Sequence, residues 1–321
     1  MGHDLVGLGE VMLRLAAPPP QRLDQAVALD VQIGGSEANV LAAVSRMGLR
    51  TAFISALPAE HAWGDRTVHE LSGHGIDCAG IVRRPGSRMG LYFLEYGAPP
   101  RPVRVLYDRR ESALSQLVPE EVDWALIRGA RMVHLSGITP ALGENLRAVV
   151  RRALHEAREA AVPVSFDVNY RSRLWSSKEA RDFLAEILPG VRVLFIGSDD
   201  AETVFDLAGA AERVLEGLAR LAPSATIALT LGEAGSAVLE GGTVRRPSRR
   251  YTVTTVDRVG AGDAYAAGFL WRVLQGRSLQ EAVDTATALA ALKCTIWGDI
   301  ALVRSAEVEE LMASTNSEIR R

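Results

Sequence analysis

Cysteine is scarce in these 321 residues: only Cys78 and Cys294 occur, far apart and with no second cysteine near either. This argues against a disulfide framework or a thiolate zinc site and suits a reducing compartment. Long hydrophobic runs are missing as well. No stretch approaches the ~20 apolar residues that a bilayer-spanning helix needs, so no membrane partner is expected. The opening MGHDLVGLGEVMLRL lacks a basic segment leading into an apolar run, and it reads as a β-strand with no sign of a signal peptide. Charge of one sign is also lacking: 36 Lys+Arg against 39 Asp+Glu leave a formal net charge of −3. No basic field exists to hold nucleic acid, and the arginines that dominate the cations are scattered. A cytoplasmic enzyme or binding protein remains.

What is present is an alternation. Short apolar runs at 6–8, 51–56, 132–135, 162–166, 193–196 and 226–229 read as buried strands. Helical spacing of apolar residues marks 37–47, 63–72, 144–161, 179–188, 201–208 and 211–221. Strand and helix in turn predict an α/β fold, a mostly parallel sheet with helices on both faces, and ligands gather outside the carboxyl ends of such strands. Two stretches, 13–33 and 87–108, break the rhythm with alternating residues and many prolines. They predict a small β-layer, inserted from two places and too thin to stand alone: a lid over the main domain or an edge offered to a second subunit. The tail from 316 onward is expected to fray.

Three motifs could carry chemistry. In Asp257-Arg258-Val259-Gly260-Ala261-Gly262-Asp263, the small residues let the backbone approach a ligand and turn its N–H groups outward. The helix that follows adds its dipole, so the corner favours anions. A carboxylate there, Asp263, suits a base that takes a proton from a hydroxyl while neighbouring N–H groups steady phosphoryl oxygens. The plainer alternative is a glycine-rich helix start with Asp263 in its first turn. The second motif, Gly34-Gly35-Ser36-Glu37-Ala38-Asn39, could bring a polyhydroxyl ligand against the backbone, with Asn39 as donor and acceptor. It could equally be a tight turn with Ser36 as helix cap. The third, Phe166-Asp167-Val168-Asn169-Tyr170-Arg171, follows a predicted strand; Asp167 and Asn169 would face the crevice, and Arg171 could grip a carboxylate with its fork. A loop salt-bridge network would also explain it.

Together, in this order and separation, the motifs resemble the ribokinase-like (PfkB) carbohydrate kinases over essentially the whole chain. Gly34 to Asn39 matches the family's N-terminal signature and Asp257 to Phe269 its C-terminal one, with Arg258-Val259 where a Thr pair is usual. Segments including Gly90 to Glu95, Val105 to Arg109 and Phe166 to Arg171 resemble the 2-keto-3-deoxygluconate kinase branch. The resemblance implies one ribokinase-like domain spanning 1–321, with the lid formed from about 13–33 and 87–108. It implies ATP-dependent phosphorylation of the C6 hydroxyl of that sugar acid or a close one, with Mg2+, and homodimers or larger assemblies through the lid. Gly35, Asn39, Tyr92, Tyr107, Arg109 and Arg171 would line the sugar pocket, with Arg109 and Arg171 meeting the carboxylate. Thr230, Gly232 and Gly235 would admit the nucleotide. Asp200 would stand near magnesium through water, although Gly197 and Asp200 replace the usual Asn and Glu. Asp257 would help hold a monovalent cation, K+, through its loop, as in some relatives.

A kinase of a neutral ketose such as fructose or ribose is the nearest rival, and a catalytically silent sugar-binding regulator on this fold is another. An NAD-dependent oxidoreductase is more distant, because Gly7 and Gly9 lack the third glycine of a dinucleotide loop. His61, His69 and His74 lack a completing carboxylate or cysteine pattern for a metal site. His134, in a predicted buried strand, reads as a hydrogen-bonded core residue.

Overall fold

The computed structural model describes residues 2–97 and 100–314, and the tail from 316 onward, expected to fray, lies outside the described residues. The apolar runs form strands that are buried on both faces: β1 (Leu5–Leu8), β4 (Thr51–Pro58), β9 (Val133–Ser136), β10 (Val164–Asp167), β11 (Val193–Gly197) and β12 (Thr226–Thr230). Around them lie β2 (Met12–Ala16), β3 (Asp30–Gly34), β5 (Ile76–Asp77), β6 (Ile81–Arg84), β7 (Leu91–Glu95), β8 (Arg104–Asp108), β13 (Ser236–Glu240) and β14 (Thr243–Arg245). The large sheet has the order β14-β13-β12-β11-β10-β9-β1-β4-β5, with β6 also pairing β4. It is parallel from β12 to β5, and β13 and β14 add an antiparallel edge.

Helices cover both faces, which is why the central strands read as continuous apolar runs without alternation. One apolar cluster packs helices such as Glu144–Glu159 against one face. The other packs Ser36–Arg46, Ala261–Leu274 and Leu279–Cys294 against the opposite face. From β1 the order runs outward in two directions, to β4 and to β9, so a crevice opens at the carboxyl ends of that central pair.

The two stretches that break the rhythm form a separate four-stranded sheet of order β3-β2-β7-β8. Its β2–β7 pair is parallel, and the β2–β3 and β7–β8 pairs are antiparallel. Arg14 ties this sheet to the main body. Its fully buried guanidinium donates to Asp257 Oδ2 (2.6 Å), to Asp299 and to Tyr96. His134 is fully buried, 3.0 Å from Ser165 Oγ, and burial pushes its pKa down to about 3, as suits a core residue.

Candidate active site

The helix Ala261–Leu274 starts at Gly260, whose φ of +83° is the left-handed conformation that favours glycine. A Cβ there would also collide with the backbone of Asp299. Asp263 lies in the first turn. Its carboxylate accepts from Ser36 Oγ (2.7 Å) and Asn39 Nδ2 (2.7 Å), and Ser36 Oγ accepts in turn from Asn169 Nδ2 (2.8 Å). Ser36 is therefore spent on Asp263 and is not a helix cap; Gly35 occupies the cap position. Burial pushes the Asp263 carboxyl above its usual range, opposed by the bonds from Asn39 and Ser36 and by the charges of Arg171 and Lys293.

The amides of the turn are not equivalent. Ala261 N–H donates to Arg258 O (3.2 Å), which corrects the expectation that all three small residues offer free donors. Among the described residues, the N–H groups of Gly260 and Gly262 have no protein acceptor, the state expected at a helix N-terminus that receives an anion.

Asp263 stands in a cleft of about 200 Å³. Gly34, Gly35 and Asn39 form one wall, Asp167, Asn169 and Arg171 another, and Tyr92, Tyr107 and Arg109 come from the small sheet and the loop after β8. The sugar-side residues named from sequence thus converge, though not all for the expected reason. Gly34 makes room for the Tyr92 hydroxyl and the Asp299 carboxylate, which a Cβ would strike. Tyr92 donates to Asp299 Oδ2 (2.6 Å) and is buried.

Arg109 differs most from expectation. Its Nε donates to Glu10 Oε2 (2.8 Å), its Nη2 donates to the same oxygen, and Ser112 Oγ donates to Glu10 Oε1. Both partners are buried, so the charge is already matched inside the protein. Arg171 is half-buried and donates to Tyr170 O (3.0 Å), with no ion-pair partner among the described residues. Arg258 lines the cleft from the turn and is exposed. The Asp167 carboxyl is pushed well above its usual range by burial and by Asp263 and Asp200, with Arg171 opposing. A neutral Asp167 can donate a hydrogen bond as well as accept one.

Sequence reasoning assigned no role to Glu37, Glu10 or Asp299. Glu37 accepts from Ser136 Oγ (2.7 Å) and Thr139 Oγ1 (3.1 Å), and burial pushes it up to about 7. An acid inside an otherwise apolar helix face was the available signal. Glu10 and Asp299 gave none, because their partners lie 99 and 285 positions away.

Thr230, Gly232 and Gly235 lie at and just after the carboxyl end of β12 and do not line the cleft that holds Asp263. Asp200 accepts from Tyr170 N (3.0 Å), and burial raises its carboxyl. No three His, Cys, Asp or Glu among the described residues converge as a metal cage. The Asp200 carboxylate has the chemistry to meet, through water, a magnesium ion held mainly by phosphates.

A potassium ion at Asp257 does not fit. The Asp257 carboxylate accepts from Arg14 Nη2 (2.6 Å), Tyr96 Oη (2.7 Å), Gly298 N (3.1 Å) and Val259 N (3.0 Å). Its carbonyl oxygen accepts from Lys293 Nζ (2.9 Å). Where a monovalent cation was expected, the Asp257 oxygens meet donors of the protein itself, among them the Lys293 ammonium.

A mostly parallel sheet thus sets a carboxylate in the first turn of a helix beside a polar cleft, the arrangement of an α/β enzyme. The pfkB family carbohydrate kinase model matches residues 3–305, and the chain belongs to that family. It is 38% identical to the 2-dehydro-3-deoxygalactonokinase of Haloferax volcanii, covering all of both chains. It is 33% identical to the 2-dehydro-3-deoxygluconokinase of Thermoproteus tenax, over 96% of this chain and 94% of the relative. The crystal structure of 2-dehydro-3-deoxygluconokinase from Thermotoga maritima superposes with a TM-score of 0.93 at 37% identity, over 98% of this chain and 99% of that one. The protein is a carbohydrate kinase.

Proposed function

We propose that the enzyme moves the γ-phosphoryl group of ATP to the C6 hydroxyl of a 2-keto-3-deoxy sugar acid. The supporting observation is Arg171: a cation without an ion-pair partner, on the wall of the cleft that holds Asp263. The relatives named for 2-dehydro-3-deoxy sugar acids support the same substrate class. Asp263, oriented by Ser36 and Asn39, takes the hydroxyl proton as the hydroxyl oxygen bonds to the γ-phosphorus and the bond to the β,γ-bridging oxygen breaks, with ADP leaving. The N–H groups of Gly260 and Gly262 receive charge on the transferring phosphoryl. Thr230, Gly232 and Gly235 border the nucleotide, and magnesium, with Asp200 near it, neutralises phosphate charge when bound. Catalysis is chiefly positioning and electrostatics. The chain acts as one kinase unit with the small sheet as lid, in the cytoplasm.

The Glu10–Arg109 pair favours a second reading, a neutral ketose, because it leaves one unpaired sugar-side cation where two were expected. ATP consumption across a panel of sugar acids and neutral sugars separates the two. The expected result is activity on sugar acids, and in Arg171→Ala a loss of kcat/KM on the acid of about 100-fold, the size of a charged hydrogen bond of about 3 kcal/mol. Activity on neutral sugars only, or equal loss on both classes, would remove the carboxylate role and leave the kinase intact.

A further inference from the structure

Only two of the 36 Lys+Arg residues are lysines. Lys178 is exposed on a helix, and Lys293 is fully buried. Lys293 sits in the last turn of the helix Leu279–Cys294, directly behind the glycine turn. Its ammonium donates to Asp257 O (2.9 Å) and to Ile296 O (3.2 Å). The same point is gripped from the backbone, since the amides of Val256 (2.8 Å) and Asp257 (3.2 Å) both donate to Cys294 O. A buried ammonium is costly unless paired. Here two cations, Arg14 and Lys293, share a buried cluster with two carboxylates, Asp257 and Asp299. Apart from the exposed Lys178 the chain uses arginine for every other cationic Lys/Arg position, and it places lysine where a compact point charge meets two carbonyl oxygens. A planar fork suits carboxylates instead.

We propose that Lys293 is a built-in monovalent cation: a positioning residue that holds the Asp257–Asp263 turn in its phosphoryl-receiving shape and makes the kinase independent of K+. Its charge also favours the ionised form of Asp263. Lys293 is sealed from the cleft and touches no substrate, so it acts through the turn. The proposal rests on phosphoryl transfer at that turn, and the test keeps the two ideas apart.

Phosphoryl transfer is measured at constant Mg2+ and ionic strength in chloride salts of K+, Na+, Cs+ and tetramethylammonium. The wild type is expected to keep kcat within about twofold across all four. Lys293→Ala, which removes the ammonium and leaves space, should lose on the order of tenfold or more in tetramethylammonium, as for a lost electrostatic contribution to a transition state. It should regain several-fold when NH4+ or K+ is supplied. Lys293→Met fills the space without charge and should lose as much with no ionic response. Several-fold activation of the wild type by K+ would overturn the proposal, as would an Ala variant that keeps full kcat or is restored by no cation. Crystals soaked in RbCl give a reading without activity: an anomalous peak beside Asp257 O is expected in Lys293→Ala and not in the wild type. A peak in the wild type would also overturn the proposal. A wild type that phosphorylates no sugar would remove the kinase reading, and the rubidium data would still decide the cation's place.

Discussion

At the residue scale the proposed mechanism turns on Asp263 as the base, and its neighbours set when it can act. A base must be ionised, and burial raises the pH at which this carboxyl loses its proton. The rate should therefore fall as pH drops through that raised value, so the acid limb lies above the range of a free aspartate. Removing the bond from Asn39, which favours the ionised form, should move the limb to still higher pH in Asn39→Ala. Asp263→Asn should lower turnover by roughly 10²–10⁴-fold, the usual size of general-base catalysis. Near-normal turnover in steady-state kinetics would remove Asp263 as the base. Asp263 and Asn39 were legible because their types are odd for their setting. Ser36 was not: a serine at a helix start reads as a cap, and only the packing of the two helices turned its hydroxyl toward Asp263 instead.

At the scale of elements, the central strands fell within a residue or two of the apolar runs, because a strand covered on both faces must be apolar throughout. The β13–β14 hairpin was missed: β13 is buried over its first three residues but mixes Ser236 and Glu240 with its apolar ones, and β14 is three residues long and mostly exposed, so neither carries a continuous apolar run. The turn into the helix Ala261–Leu274 depends on one residue. Gly260→Ala meets both a positive φ and the Asp299 backbone, so a cost of about 1–3 kcal/mol is expected from backbone strain alone. Thermal unfolding should show a lowered Tm, and kcat should fall as the amides of residues 260 and 262 leave their alignment. An unchanged kcat would mean that these amides do not carry the phosphoryl charge.

At the scale of the molecule, the small sheet ends in an edge. On β8, Leu106 is 47% exposed and Tyr107 also faces solvent, and an open sheet edge of this kind is normally covered or blunted. We propose that a second copy of the chain covers it, giving a homodimer through the lid. Light scattering should give twice the chain mass of 34.5 kDa, and Leu106→Glu should shift the equilibrium toward monomer. A wild type that is monomeric at all concentrations would leave the edge to solvent.

The sequence by itself determined the alternation of strands and helices, the inserted small sheet, and the glycine turn with its carboxylate. Each of these is written in local periodicity or in residues whose type is costly without a ligand. The tertiary structure decided the pairing of charges. Arg109 and Arg171 look alike in the chain, yet Glu10 neutralises the first, whereas the second donates to the Tyr170 carbonyl and has no ion-pair partner among the described residues. Asp257 looked like part of a cation site, and its carbonyl oxygen meets the ammonium of Lys293, 36 positions away. Such pairings depend on which groups the fold brings within about 3 Å, the reach of a hydrogen bond, and no local pattern encodes that distance.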